Sequence, residues 1–218
     1  MNPQSTPHTR TEMAFWNAGY RYVAGLDEAG RGPWAGPVYA ASVVLPRPDN
    51  LTAQLAGVRD SKTLSERQRE RLLERIRKVA LAVGVGWSTA AEIDEIGIVP
   101  ATHLAMTRAL DAMDPAPEAL ILDALTLPDV ALPQRGFPRA DAHSLSVAAA
   151  SIVAKVSRDR WMVDTAEVDH PGYGFARHKG YGTPHHRTAL RQIRGCAIHR
   201  RSFKPVAARL AEEARNDR

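Results

Sequence analysis

Four acidic residues, each at or just past the end of an extended segment, are the best candidates for chemistry: Asp27, Glu28, Asp123 and Asp141. An isolated buried carboxylate is costly, so acids in such positions are normally paired or bound to a metal. Oxygen ligands with no Cys or His nearby favour hard ions, Mg²⁺ or Mn²⁺. Two such ions about 4 Å apart stabilise the attacking and leaving oxygens of phosphodiester hydrolysis. If the four acids meet at one sheet edge, they predict a site of this kind.

Each acid also has a simpler interpretation. Strand alternation places Asp27 and Glu28 on opposite faces, although the glycines that follow could let the chain turn so that both reach a metal. Taken alone, Asp27 could cap a turn and Glu28 could be solvated. Asp123 follows the apolar run ALIL, which argues against an ordinary surface acid. Asp141 could be only a helix cap, and Asp159 is the alternative fourth ligand. Because Asp159 lies between two arginines in a predicted helix, a solvent-exposed ion pair is favoured there, and Asp141 is preferred as the ligand.

A loop with few side chains, GRGPWA at 30–35, follows the first two acids. It matches the G-x-G-x-x-A pattern of dinucleotide-binding folds, with Asp49 about 20 residues further on. Those glycines must open a helix, but here Pro33, Pro37 and the strand-like VYAASVVL follow. Acids directly before the loop would also repel a pyrophosphate. The sequence therefore argues against a dinucleotide site.

Basic residues are concentrated near the C-terminus. From His170 to Ala211 the chain has no Asp or Glu, nine Lys or Arg residues, and five of its eight histidines. In a chain with a net charge of +5, this distribution favours a phosphate-binding surface over a merely solvated basic face. The histidines of HKGYGTPHH lack the spacing of zinc ligands, so we expect them to be surface residues or phosphate contacts.

The length and composition of the chain exclude several classes of protein. A chain of 218 residues suits one domain with a sizeable core. A single cysteine, Cys196, excludes an intrachain disulfide and a cysteine-rich zinc site. No apolar stretch approaches the roughly 20 residues of a membrane span, and MNPQSTPHTR has no signal-peptide core. We therefore expect a cytoplasmic protein.

The order of the predicted elements indicates an α/β protein with a mixed sheet. Extended segments are predicted at 22–27, 38–45, 82–89, 119–124 and, as a short piece, 139–142. Helices are predicted at 11–20, from the Ser65 cap onward, at 90–98, 101–113, 144–163, 184–194 and 205–215, with a glycine-rich loop at 172–182. Leu145, Ala149, Ile152 and Val156 form one apolar stripe on the helix at 144–163, which indicates that it packs on the sheet.

With these features assembled, the sequence resembles type 2 ribonuclease H, the ribonuclease HII family, from about Tyr22 to Val206. The resemblance rests on GLDEAGRGPWAGPV, DSKTLSERQRERL, ADAHSLSVAAASIVAKVSRDR, HPGYGFARHKGYGTPHH and HRRSF. It implies a ribonuclease H-like fold, with a mixed five-stranded sheet flanked by helices. Within one structural domain, residues 1–21 would form a leader with a short helix. Residues 22–166 would form the catalytic core, and 167–218 a basic, helical substrate-binding segment.

The resemblance also implies an activity. The family cuts RNA in RNA/DNA hybrids and cuts 5′ of ribonucleotides embedded in duplex DNA, leaving 3′-hydroxyl and 5′-phosphate ends. Carried over by position, its four catalytic and metal-binding acids are Asp27, Glu28, Asp123 and Asp141. Asp27 would bridge two divalent ions, Mg²⁺ or Mn²⁺. Asp141 would share the ion that activates water, and Asp123 the ion at the leaving oxygen.

Substrate-binding residues follow in the same way. Main-chain groups of Gly30 and Gly32 would approach the ribose 2′-OH, which distinguishes RNA from DNA. Arg31 would order this loop or contact a phosphate, and Ser61 and Lys62 would contact phosphates, although DSK ahead of a helix could be simple capping. Tyr181 would pack on the sugar at the RNA–DNA junction, with an ordinary core tyrosine as the alternative.

The chain departs from the family pattern beside two of the acids. Ala124 stands where a glycine is usual after the third acid, and Arg139 and Ala140 replace the common Lys-Gly before the fourth. Two rival functions remain, a metal-dependent DNA endonuclease on the same fold and a non-catalytic hybrid-binding module. We expect a monomer that binds nucleic acid and no membrane. LAEEARNDR at the C-terminus does not resemble a sliding-clamp peptide.

Overall fold

The computed structural model describes residues 6–47 and 49–216, without the side chain of Asn216. The first five residues of the predicted leader and the last two of LAEEARNDR lie outside this description. None of the helices in the described ranges is long and apolar enough to cross a membrane.

Five strands form one mixed sheet, as predicted. The order across it is β3-β2-β1-β4-β5. The central strand β1 runs antiparallel to β2 and parallel to β4, β2 pairs antiparallel with β3, and β4 pairs parallel with β5. The strands are β1 (Val23–Ala29), β2 (Val38–Val44), β3 (Ala82–Ser88), β4 (Ala119–Asp123) and β5 (Gln134–Phe137).

The fifth strand corrects one sequence prediction. An extended piece was expected at 139–142, but β5 comes earlier and residues Ala140–Ala142 form a 3₁₀ turn. Pro138 has no N–H to donate to a sheet ladder, and Arg139 adopts a left-handed conformation with φ of 58°. Both features end the strand before Ala140. The chain therefore turns sharply ahead of Asp141.

The predicted helices lie close to their expected positions, and most have a recognisable start. Two short helices, at Leu51–Gln54 and Glu167–Asp169, were not predicted. Ser65 forms a reciprocal capping box with Gln68, and the Ser144 and Thr183 side chains cap the later helices α6 and α9. The predicted glycine-rich loop contains one short helix, α8. The helices are α1 (Arg10–Asn17), α2 (Leu51–Gln54), α3 (Glu66–Val79), α4 (Ala90–Ile96), α5 (Ile98–Asp111), α6 (Leu145–Trp161), α7 (Glu167–Asp169), α8 (Phe175–His178), α9 (Pro184–Ile193) and α10 (Lys204–Asn216), with a π-helical turn at Met162–Ala166.

Helix α6 packs directly on the central strand. A Cβ atom added to Gly25 of β1 would lie 2.2 Å from the main-chain carbon of Ser146, so only glycine permits this approach. The predicted stripe of α6 is buried, and so are most residues on its other faces. On its outer side α6 meets α3 and the leader helix, where Ser144 and Ser146 donate to the buried carboxylate of Glu12. Helix α5 covers the opposite face of the sheet. These two layers fix the edge where β1 and β4 end.

Candidate active site

The first and third acids lie side by side at the ends of parallel strands. Leu26 of β1 is in register with Leu122 of β4, so Asp27 and Asp123 occupy the next position on each strand. Asp27 is buried, with 6% of its surface exposed. Because β1 is flanked on both sides by other strands, its end is held from both sides.

Glu28 points to the other face of β1. The even-numbered residues before it, Ala24 and Leu26, pack with α5, whereas Val23 packs with α6. Strand alternation therefore holds at the site. β1 ends at Ala29, and the chain turns at the first glycine of the loop, Gly30, which has φ of +95°. The Arg31 guanidinium donates to the Glu28 carboxylate at 3.2 Å, and the Glu28 N–H donates to Asp27 Oδ1 at 2.8 Å.

Asp141 is brought to the same corner by the 3₁₀ turn. The Ala140 N–H donates to Asp123 Oδ1 at 2.8 Å, which ties this turn to the end of β4. Asp141 is buried with 6% of its surface exposed. Asp159, the alternative ligand, forms ion pairs with Lys155 at 2.7 Å and Arg69 at 3.5 Å. Its ion pair was predicted, but it is buried rather than exposed to solvent.

The pKa values of Asp27, Glu28 and Asp141 show that negative charges lie close together at this corner. Burial, and then the charge of Glu28, raises the pKa of Asp27 well above its usual value. Burial raises the pKa of Glu28, with the Arg31 charge acting against it. Burial, followed by the charges of Asp60 and Asp123, raises the pKa of Asp141 to about 6. Each carboxylate is thus destabilised in its ionised form, and a nearby cation would relieve that strain.

The donor set fits a hard divalent cation by its chemistry. The four side chains offer carboxylate oxygens only, and the charges of Glu28, Asp123 and Asp141 all raise the pKa of Asp27. Their oxygens do not converge on one position. In residues 6–47 and 49–216, no group of three His, Cys, Asp or Glu side chains is arranged to hold a metal ion. Glu28 is engaged with Arg31, and one Asp123 oxygen with Ala140. The second Asp123 oxygen therefore stays open to a cation, whereas Glu28 must release Arg31 to bind one.

Lys62 lies within electrostatic range of the acids, and Asp60 is an acid that the sequence did not single out. Burial lowers the pKa of Lys62, but the charges of Asp27, Asp60 and Asp141 raise it overall. Asp60 caps the 3₁₀ turn Ser61–Thr63 by accepting from the Lys62 N–H at 2.9 Å. Ser61 is buried and its N–H donates to Ser151. The capping interpretation is therefore right for Asp60, and it leaves the Lys62 ammonium group near the acids.

Tyr181 lies against the glycine loop and is not a core residue. Its side chain is 44% exposed, and a Cβ atom on Gly32 would lie 4.0 Å from the Tyr181 ring. The Lys155 ammonium group is 6.0 Å from the ring centroid. The structure thus places an accessible aromatic ring, a lysine and the bare loop at 30–32 next to one another.

The histidine prediction is wrong for two residues, His178 and His186. His178, His186 and His199 are buried. His186 Nδ1 donates to the Tyr181 carbonyl at 3.0 Å, and its Nε2 accepts from His199 Nε2 at 3.0 Å. His199 Nδ1 then accepts from the Cys196 N–H at 3.0 Å. Burial lowers the pKa of His186 to about 4 and that of His199 to about 3, so both rings are neutral and build the loop that carries Tyr181.

Most of the predicted basic surface is exposed, but not all of it. Arg200 is fully buried, and Arg209 donates to the carbonyls of Leu190 and Arg191. The Arg187 guanidinium lies 5.4 Å from the centroid of the Trp34 ring. The exposed basic residues of this segment are Arg177, Arg187, Arg191, Arg194, Arg201 and Lys204.

The family model for ribonuclease HII matches residues 24–206. The chain is 51% identical to the ribonuclease HII of Geobacillus thermodenitrificans, covering 94% of this chain and 77% of that protein. It is 53% identical to that of Chloroflexus aurantiacus (92% and 94% covered) and 54% identical to that of Thermus thermophilus (90% and 92%).

Solved structures show the same fold. The ribonuclease H2 of Pyrococcus horikoshii superposes with a TM-score of 0.70 at 27% identity, covering 89% of this chain and 99% of that one. The Archaeoglobus fulgidus ribonuclease HII, solved in complex with PCNA, gives 0.69 at 30% identity, with 86% and 96% covered. Bst-RNase HIII, solved with Mn²⁺, gives 0.65 at 22% identity, with 95% and 75% covered, and supports the fold alone.

Proposed function

Because the chain belongs to the ribonuclease HII family, an endonuclease family that acts on RNA/DNA hybrids, we propose that it also cuts 5′ of single ribonucleotides in duplex DNA. One observation carries this proposal. The acid cluster at the ends of β1 and β4 and the exposed ring of Tyr181 flank the same glycine loop, so a catalytic corner adjoins a surface suited to a sugar.

The acids would hold the divalent ions and the reacting groups. We assign Asp27, Glu28, Asp123 and Asp141 as ligands for two Mg²⁺ or Mn²⁺ ions, with Asp27 central because it lies beside both Glu28 and Asp123. When bound, such ions supply an activated water and charge stabilisation at the leaving 3′ oxygen. The rigid ends of β1 and β4 keep the carboxylates of Asp27 and Asp123 at a fixed spacing. The scissile phosphate would therefore be held in one orientation.

The loop and its neighbours would recognise the substrate. Main-chain groups of Gly30 and Gly32 approach the ribose 2′-OH, because no side chain stands between backbone and ligand. Tyr181 packs on the adjacent sugar. Arg31 orders the loop through Glu28, and it would be available to a phosphate when that carboxylate turns to a cation.

Contacts to the phosphate backbone would give most of the affinity. Lys62 neutralises a phosphate next to the acids, and Ser61 holds the turn that presents it. The exposed basic residues of the C-terminal segment would bind the duplex without reading its sequence, and this binding weakens as salt rises.

A labelled DNA duplex with one ribonucleotide tests the proposal. Incubation with Mg²⁺ should give a single cut on the 5′ side of the ribonucleotide, with 3′-hydroxyl and 5′-phosphate ends, and no cut without Mg²⁺. The same duplex without the ribonucleotide is the matched control. Cleavage of that control would favour a DNA endonuclease, and Mg²⁺-independent binding without any cleavage would favour a binding module.

A further inference from the structure

Two arginines are buried beneath the glycine loop, and no carboxylate among the described residues forms a direct ion pair with either. Arg158 of α6 is 1% exposed and Arg200, ahead of α10, is fully buried. Burial lowers the pKa of Arg158 to about 10. Burial, and then the charge of Arg158, lowers the pKa of Arg200 to about 9. Placing two cations together in the interior is costly, so their partners need an explanation.

Arg158 joins the glycine loop to the segment that carries Tyr181. Its Nε donates to the Pro37 carbonyl at 2.9 Å and its Nη2 to the Ala35 carbonyl at 3.1 Å. Its Nη1 donates to the Lys179 carbonyl at 3.0 Å, two residues before Tyr181. Because one planar group makes all three bonds, the two segments cannot shift independently.

Arg200 holds the loop itself. Its Nη2 donates to the Gly30 carbonyl at 2.6 Å, its Nη1 to the Arg31 carbonyl at 2.9 Å and its Nε to the Gly36 carbonyl at 2.9 Å. Gly30 has φ of +95°, and a Cβ atom there would lie 2.0 Å from Arg158 Nε. The loop therefore packs onto both guanidinium groups, with no room for a side chain at Gly30.

The captured carbonyls leave other main-chain groups available. Within the described ranges, the N–H groups of Arg31 and Gly32 donate to no part of the chain. Gly32 is exposed. The two arginines thus donate hydrogen bonds to carbonyls of the loop from its buried side. The N–H groups of Arg31 and Gly32, next to Tyr181, are left for a ligand.

We propose that Arg158 and Arg200 are positioning residues for ribose recognition, which shape the loop at 30–37 and lock it to Tyr181. This inference rests on the proposed function. Neither side chain touches the substrate. Each acts through the main chain, and the preference for a ribonucleotide depends on the six hydrogen bonds that they donate.

Lysine substitutions test this role, because Lys keeps the charge but donates from one compact group instead of a planar fork. Arg158→Lys and Arg200→Lys are compared with Arg160→Lys, a control on the same helix whose exposed side chain pairs with Glu70. Single-turnover cleavage and KM are measured on the duplex with one ribonucleotide. We expect kcat to fall about 10-fold or more in the first two variants with KM nearly unchanged, and no change in the control.

A double-mutant cycle separates positioning from general destabilisation. If Arg158 acts through the segment of Tyr181, Arg158→Lys combined with Tyr181→Ala should lose little more activity than the worse single variant. The inference is overturned if the activity losses of the two single variants multiply in the double variant. It is also overturned if both Lys variants fold and keep the wild-type kcat, or if neither folds at 10 °C. An inactive wild-type protein would instead contradict the proposed function.

Discussion

The Ala140 N–H donates to the Asp123 carboxylate at 2.8 Å, and this bond joins the end of β4 to the turn that carries Asp141. The third and fourth acids, 18 positions apart in the chain, are thus connected through one main-chain group. Since Ala140 is fully buried, the bond is shielded from water. The position of Asp141 therefore depends on Asp123 directly, as well as on the sheet.

We predict that Asp27→Asn separates activity from stability. The substitution removes the central ligand, so cleavage should fall by more than the roughly 100-fold seen on losing an outer-shell partner, while duplex binding persists. Because the folded pKa of Asp27 lies above its ordinary value, its ionised form destabilises the fold at neutral pH. The urea midpoint without added metal should therefore rise at pH 8. Undiminished Mg²⁺-dependent turnover, or a lowered midpoint, would contradict the assignment.

Tyr181→Ala should impair cleavage without unfolding the protein. Tyr181 is 44% exposed, so the free energy of unfolding should fall by no more than about 1 kcal/mol. Loss of packing on a sugar should lower kcat/KM at a single ribonucleotide by about 10-fold. Tyr173→Ala is the comparison, because that tyrosine is buried and its removal should cost about 3 kcal/mol. Equal thermal destabilisation of the two variants would show that Tyr181 is structural.

Much of this arrangement could be predicted from the sequence. The apolar strands ending in Asp27 and Asp123, and the helix stripe from Leu145 to Val156, are local patterns that the structure follows. The fifth strand was misplaced, because QRGF lacks the apolar character of a buried strand and depends on pairing with β4. Arg200 and His186 were taken for surface residues. Nothing local shows that Arg200 donates to the carbonyl of the distant Gly30, or that His186 pairs with His199.

Ala124→Gly should stabilise the protein. Ala124 has φ of 54°, a left-handed conformation that costs a non-glycine residue about 1 kcal/mol or more. This explains the glycine that the family favours there. Glycine also makes the unfolded chain more flexible, which offsets part of this gain. The free energy of unfolding should therefore rise by about 0.5 kcal/mol. Ala140→Gly, at the other departure from the family pattern, is the control. It lacks a positive φ, so its urea midpoint should fall.

Acidification should destabilise the histidine cluster. His186 and His199 have folded pKa values of about 4 and about 3, below the ordinary 6.5, so the unfolded chain binds more protons below pH 6.5. The free energy of unfolding should then fall by about 1.4 kcal/mol per pH unit for each histidine, down to those pKa values. Protonation of Asp141 acts in the opposite direction, so the comparison is made between variants.

His186→Gln should reduce this pH slope, measured by urea unfolding between pH 7.5 and 5. His185→Gln, at the exposed neighbouring position, should leave it unchanged. Identical slopes in wild type and His186→Gln would show that the buried ring is not the group that titrates.

Anomalous diffraction from crystals soaked in Mn²⁺ with a non-cleavable ribonucleotide-containing duplex tests the central claim most directly. We predict manganese within coordination distance of Asp27 and Asp123, with Glu28 released from Arg31 and Asp141 facing the same centre. Manganese bound elsewhere, or an Asp123 or Asp141 carboxylate that stays away from it, would contradict the account.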